Sequence, residues 1–462
     1  MALGAVPRSP RRGSPARPPG PPARQAFGAL LAQRRPPHRF LAEAVQTYGG
    51  LAHIRVAGEH AYIVGDADLV WLIFVTHGRD TMKGRALQRA KPLLGEGLLT
   101  SEGELHRRQR LLVQPAFHHT RIAQYAEQMA AAAEEHGEGW VDGHRVDLAE
   151  DLSALTLDIV GRTLFGADLK GDAREVGEAL TAVIDGFRQQ LLPGAALLDR
   201  LPLPSRRRTR AAIERLDAIV WRLIAEHRAA GDTGDVLSML LEARHEGSGM
   251  SDRQLRDEVM TLVLAGHETT ANALAWAFWH LSQRPDEAAW LHAELDRLPH
   301  RRLGWGDLPA LPRTRAVIAE SLRLHPPAWT IGRRLLADLE VGPAAGGWLL
   351  PAGSICLASQ WVLHRDPRYW ADAPSFTPTR WLDADGSFSQ RAPGQPRGAW
   401  FPFGLGSRVC IGEDFAWTEA VLVLATLARR WVPAVDPEWP EGEDPGVTLR
   451  PRGGLPARLH LR

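Results

Sequence analysis

The chain has 462 residues, 44% hydrophobic and 24% charged, the proportions of a globular protein that buries a large core and not of a disordered one. A formal net charge of +1 lets neither sign dominate the surface field, so nothing in the composition calls for a nucleic-acid or polyanionic partner. Two cysteines, Cys356 and Cys410, are too few to frame a secreted fold with disulfides, and a reducing, cytoplasmic setting is expected.

Residues 1–24 crowd proline and arginine without the apolar run of a signal peptide, and read as a disordered leader before a single domain over 25–462. Residues 27–49 predict a short helical lead-in, and the patches 51–56 and 61–64 predict two strands. The apolar stretch 61–75 is broken by Asp66 and Asp68, short of the roughly 18 to 20 uninterrupted residues of a membrane span. Apolar residues at helical spacing over 121–136, 148–164 and 210–229 predict amphipathic helices. Residues 252–283 are apolar nearly all round, and Ser251 and Gln254 stand at capping-box spacing, so one long buried helix is expected. A shorter helix carries Glu320 and Arg323 and stops at Pro326 and Pro327; a strand-like region, 335–360, is punctuated by glycine and proline. A loop over 392–402 then leads to a glycine-rich turn and a helix over 413–430. The fold class is therefore mainly α with a minor β part.

That turn, Phe403-Gly404-Leu405-Gly406-Ser407-Arg408-Val409-Cys410-Ile411-Gly412, puts a thiol just ahead of a helix start. Unpaired N–H groups and the positive dipole end there favour thiolate, which can ligate iron. Gly404, Gly406 and Gly412 permit positive φ or close approach to a flat cofactor, and Phe403 can shield the sulfur. The competing reading is a buried structural cysteine.

In the middle of the long helix stands Ala265-Gly266-His267-Glu268-Thr269-Thr270. A glycine there costs about 1 kcal/mol relative to alanine, and a carboxylate is expensive to bury unpaired. Thr269 can bond the Ala265 carbonyl and open the helix beside Gly266, making room for dioxygen and water; the blander alternative is a kinking threonine beside a partly solvated Glu268. Glu320 and Arg323 share a helix face among apolar neighbours, so their ion pair is expected to be buried and to need a further partner. His106 and Arg110 lie in a basic helix, and Arg333 has Arg334 as an adjacent rival. Lysine occurs only at Lys83, Lys91 and Lys170; the other cations are arginine.

The spacing Phe-x-x-Gly-x-Arg-x-Cys-x-Gly, with the acid-alcohol pair and the Glu-x-x-Arg pair in order, resembles the cytochrome P-450 family, from about residue 27 to the C-terminus. The resemblance implies the cytochrome P-450 fold and haem b, with Cys410 as axial ligand and Phe403 and Gly404 beside it. It implies propionate contacts from His106, Arg110, Arg333 and Arg408, though His106 replaces the commoner Trp. It implies an oxygen groove at Ala265, proton delivery by Glu268 and Thr269, and Arg380 as third member of the Glu320–Arg323 network. The activity implied is a monooxygenase that uses O2 and a hydrophobic substrate, with electrons from a ferredoxin and ferredoxin reductase. Glu268–Thr269 counts against a peroxide-driven enzyme, which carries Arg-Pro there, and against a haem-binding sensor without turnover. Residues 325–335, 401–416 and 447–455 resemble carotene ring hydroxylases of thermophilic bacteria, implying a carotenoid ionone ring as substrate, with fatty acids as the alternative. An apolar edge at Ala328, Trp329 and Ile331 and a Leu-rich stretch, 191–204, suit either.

Overall fold

In a computed structural model of the chain, the described residues are 17–30, 36–56, 58–167, 175–179, 182–183, 204–231, 234–243, 249–342, 347–391 and 395–462. Helices form the larger part: α1 (Ala23–Leu30), α2 (Pro37–Tyr48), α3 (Gly103–Val113), α4 (His119–Glu138), α5 (Leu148–Phe165), α6 (Pro204–Ala230), α7 (Val236–Glu242), α8 (Asp252–Ser282), α9 (Pro285–Leu295), α10 (Pro312–Leu324) and α11 (Glu413–Ala428). The strands are β1 (Leu51–Val56), β2 (Glu59–Val64), β3 (Thr81–Lys83), β4 (Arg145–Asp147), β5 (Ile331–Leu335), β6 (Leu339–Val341), β7 (Trp348–Leu350), β8 (Ile355–Ala358), β9 (Trp431–Val435), β10 (Glu443–Pro445), β11 (Leu449–Pro451) and β12 (Pro456–Leu461).

α8 is the axle of the helical part. The Ser251–Gln254 capping box closes its first turn with both reciprocal bonds, and it runs unbroken until Pro285 forbids continuation. Being apolar over most of its surface, it is buried over most of its length, against α5, α6, α10 and α11. Gly266 faces α5, where a Cβ would come within 2.9 Å of Val160 Cγ2, so this glycine sets how closely the two helices approach.

A mixed sheet in the order β1-β2-β8-β5-β3 makes the smaller part. The region expected to be strand-like from residue 335 begins earlier, at Ile331, and divides into β5 to β8. β5 pairs antiparallel with both neighbours, setting Arg333 opposite Cys356 on one side and Lys83 on the other. Residues 1–16 lie outside the described set, but Arg17 to Pro22, assigned to the leader from composition, run along β1: the His53 N–H donates to the Pro19 carbonyl at 3.0 Å, and Pro18 and Pro21 are buried. Packed chain thus starts ahead of the boundary at residue 25. No helix among the described residues is long and apolar enough to cross a membrane.

The Glu320–Arg323 pair is wholly buried, as its apolar neighbours require. Arg323 donates to both carboxylate oxygens of Glu320 at 2.7 and 2.8 Å and to the carbonyls of His364, Ala373 and Ser375. Glu320 also accepts from Arg380 Nε (3.0 Å), Trp381 Nε1 (2.9 Å) and the Thr377 N–H (2.9 Å). Every donor and acceptor of the pair is satisfied, which is the condition for tolerating buried charge. Glu320→Ala leaves Arg323 as an uncompensated buried cation, so a loss of about 3 to 5 kcal/mol is expected, measured by denaturant unfolding against wild type.

Candidate functional site

The turn before α11 is shaped by its glycines. Gly404 (φ +78°) and Gly406 (φ +66°) take left-handed backbone, and a Cβ on Gly406 would strike the Phe74 carbonyl at 2.5 Å. Gly412, the N-cap of α11, has φ −93° and so does not use its freedom. The Gly404 N–H donates to Phe401 O, Val409 N–H to Gly406 O and Cys410 N–H to Phe403 O, at 3.0, 3.1 and 2.9 Å, which folds Phe403 and Gly404 back beside the cysteine. Arg110 Nη1 donates to the Val409 carbonyl at 2.8 Å, bracing the turn from α3.

Cys410 is accessible, whereas Cys356 is buried. Burial pushes its thiol up to about 11, while the Gly412 backbone and Arg110 pull the other way. Burial thus opposes the helix-start effect that favours thiolate. A coordinated metal cation reverses the balance, since a ligating thiol loses its proton outright. Cys356, on β8, is a plain core residue whose thiol burial pushes up to about 12.

Basic side chains converge on the same region from separate elements: Lys83 on β3, His106 and Arg110 on α3, Arg333 on β5 and Arg408 in the cysteine turn. Burial, then Arg408, Lys83, Arg110 and Arg333, drive His106 down to about 3; burial, then Arg408 and Arg333, drive Lys83 down to about 7; burial, then Arg408, drives Arg333 down to about 10. Glu102 is the acid that answers them, pairing with Arg408 and accepting the Lys83 N–H at 2.7 Å. A buried group of like charges is costly unless anions join it, and two propionates have the right charge and geometry for arginine. The cysteine turn and this cluster therefore fit haem b. Strand alternation decides between the adjacent arginines: Arg333 is buried in the cluster, and Arg334 lies beside Gly353. Lys83 went unread because it belongs to no motif and its strand is three residues long; only the β3–β5 register brings it in.

Beyond its exposed first turn, α8 loses burial at one place. Ala265 is exposed, and Gly266, Glu268 and Thr269 are half-buried, within a helix buried over most of its length. The Thr269 hydroxyl donates to the Ala265 carbonyl at 2.8 Å, as the spacing predicts, within a helix that runs continuously from Asp252 to Ser282. Glu268 Oε1 accepts from Thr448 Oγ1 at 2.6 Å, a partner no local pattern announced. Glu419 on α11, also unread, is fully buried facing Thr270, and burial pushes its carboxyl up to about 8. Of the expected apolar edge, Ala328 is exposed, but Trp329 is a core residue whose Nε1 donates to Gly446 O at 3.1 Å. Residues 191–203 of the Leu-rich stretch lie outside the described set.

Comparison with known proteins places the chain in a family. Residues 18–455 match the family model described as Cytochrome P450. The chain is 40% identical over 431 residues to the cyclooctatin synthase of Streptomyces melanosporofaciens, covering 92% of this chain and 90% of that protein. It is 38% identical to the cyclooctat-9-en-7-ol 5-monooxygenase of the same organism, over 88% of this chain and 87% of that one. It is 36% identical to the pentalenene oxygenase of Streptomyces avermitilis, over 88% of each.

Replacing the thiol of Cys410 by a neutral hydroxyl is expected to abolish the red-shifted carbon-monoxide band of the reduced protein. Absorption spectra of Cys410→Ser and Cys356→Ala test this, and the second variant should keep the band.

Proposed function

Because the chain belongs to the cytochrome P450 family, and is thus a haem-dependent monooxygenase, we propose that it hydroxylates a cyclic terpene-type hydrocarbon beside the accessible face of α8. The observation that carries the reading is the conjunction, within one core, of an accessible cysteine flanked by basic side chains and a break in helix burial that bears an acid next to an alcohol.

Haem bound at Cys410 supplies the activation of dioxygen: one oxygen atom enters a substrate C–H bond, and the other leaves as water after uptake of two electrons and two protons. The rest falls to the chain. Cys410 would ligate as thiolate, with Phe403 and Gly404 folded back beside it, and His106, Arg110, Arg333 and Arg408 would hold the propionates, with Lys83 next to them. Ala265 and Gly266 border the oxygen groove, Thr269 is held by the Ala265 carbonyl, and Glu268 passes protons towards it.

The substrate class rests on the relatives. Pentalenene and cyclooctat-9-en-7-ol, named in two of them, are cyclic skeletons with a carbon–carbon double bond. The carotenoid ionone ring expected from the sequence is also an unsaturated ring of this class, though none of the three relatives names it. For electrons, a small acidic ferredoxin and its reductase suit the exposed Arg107 on α3. The unbridged Cys356 and Cys410 support a cytoplasmic setting.

Titration of the ferric protein with pentalenene, β-carotene and long-chain fatty acids, followed through the iron spin state and then by product analysis, tests the substrate. A response to a cyclic hydrocarbon is expected; turnover of fatty acids alone would overturn the substrate class and leave the monooxygenase intact. Thr269→Ala is expected to keep haem and substrate binding while diverting NADPH-derived electrons to peroxide or water, read as product formed per NADPH consumed.

A further inference from the structure

The turn between β10 and β11 ends on α8 at the acid. Thr448, only 8% exposed, donates its hydroxyl to Glu268 Oε1 at 2.6 Å, and its oxygen lies 3.3 Å from Asn272 Nδ2, one helical turn further along α8. A threonine hydroxyl has a single hydrogen. With the Asn272 amide donating to its oxygen, that hydrogen is directed at Glu268, so the chain of bonds runs Asn272 to Thr448 to Glu268. Glu268 Oε2 accepts from none of the described residues.

The turn itself is fixed on both sides. Trp276 Nε1 donates to Leu449 O at 3.3 Å, Trp329 Nε1 to Gly446 O at 3.1 Å, and the Leu449 N–H to Pro327 O at 2.9 Å. At the base of the hairpin Glu443 accepts from Trp361 Nε1 at 2.7 Å and Arg365 Nη2 at 3.1 Å, with His38 Nε2 at 3.0 Å. Thr448 is thus a donor on a rigid platform, aimed at a long side chain that has several rotatable bonds and no other described hydrogen-bond donor.

We propose that Thr448 is the positioning residue of the Glu268 carboxylate, leaving one defined oxygen free to exchange protons, and that Asn272 sets the direction of its hydroxyl. The proposal rests on the assignment of Glu268 as the proton-delivering acid. Thr269 is held by its own helix, whereas Glu268 is held by a strand turn 180 residues away. Loss of that hold lets the carboxylate sample other rotamers, so protons arrive in place less often while electrons continue to be delivered.

The test compares Thr448→Val, Thr448→Ser, Asn272→Leu and Glu268→Gln as holoenzymes with surrogate redox partners. Thr448→Val keeps the shape without the hydroxyl. It should retain haem content and the wild-type spin-state affinity for substrate, lose product per NADPH several-fold, and shift the isotope-edited infrared band of the Glu268 carboxylate. Thr448→Ser should restore both coupling and the band. Asn272→Leu should give a smaller loss in the same direction, and it carries the test if the valine variant does not fold. Wild-type coupling in Thr448→Val, an unmoved band, or a serine variant no better than valine overturns the proposal. If Glu268→Gln uncouples and Thr448→Val does not, positioning by Thr448 fails and the acid assignment stands. If Glu268→Gln leaves coupling intact, the acid assignment and the proposal fall together.

Discussion

The buried pair of Glu320 and Arg323 is the contact on which the cysteine side of the molecule depends. With neither side chain exposed, Arg323 collects three carbonyls from residues 364–375 and Glu320 collects donors from residues 377–381, so an irregular stretch of chain is tied to α10 at both ends. The stretch lacks a regular ladder, and buried backbone groups in it need such partners. From it the constraint passes on. Trp381 packs at 4.5 Å from Trp400 and 5.4 Å from Trp370, and the Phe401 N–H donates to His364 Nε2 at 3.1 Å. Phe401 in turn accepts the bond that starts the Gly404 turn, so the position of Cys410 is set through a chain of buried contacts from α10.

Electrostatics around Cys410 are those of a site that needs its cofactor. Burial pushes the Cys410 thiol up and pushes His106, Lys83, Arg110, Arg333 and Arg408 down. Among the described residues Glu102 pairs with Arg408 of this group. Haem held by Cys410, with its propionates among these cations, would offset both penalties.

On the other side, α8 combines two demands that conflict. Close packing needs an apolar helix with a glycine where α5 presses against it, and the proposed proton transfer needs an acid in the same turn. The conflict is resolved by direction. His267 is turned into the core, with Nδ1 3.0 Å from Val263 O, and the Thr156 hydroxyl donates to the His267 carbonyl, while Ala265, Glu268 and Thr269 occupy the accessible side. The helix thus needs no break to present them.

Local bonding was legible in the residues themselves. The capping box of α8, the Thr269 to Ala265 bond and the left-handed glycines of the cysteine turn each span a few residues, and spacing alone dictates them. The Glu320–Arg323 pair was legible for the same reason, one helical turn with apolar neighbours. Tertiary structure decided the rest. Lys83 enters the basic cluster only because β3 pairs with β5, Arg333 is chosen over Arg334 by the face of one strand, and Trp329 is drawn into the core to hold Gly446. Burial opposes the helix-start effect on Cys410, a balance that depends on how much protein surrounds the sulfur. Thr448 meets Glu268 across 180 residues. Periodicity and motif spacing encode contacts within a turn or two of chain; partners this far apart are set by sheet register and helix packing, which exist only once the whole chain has folded.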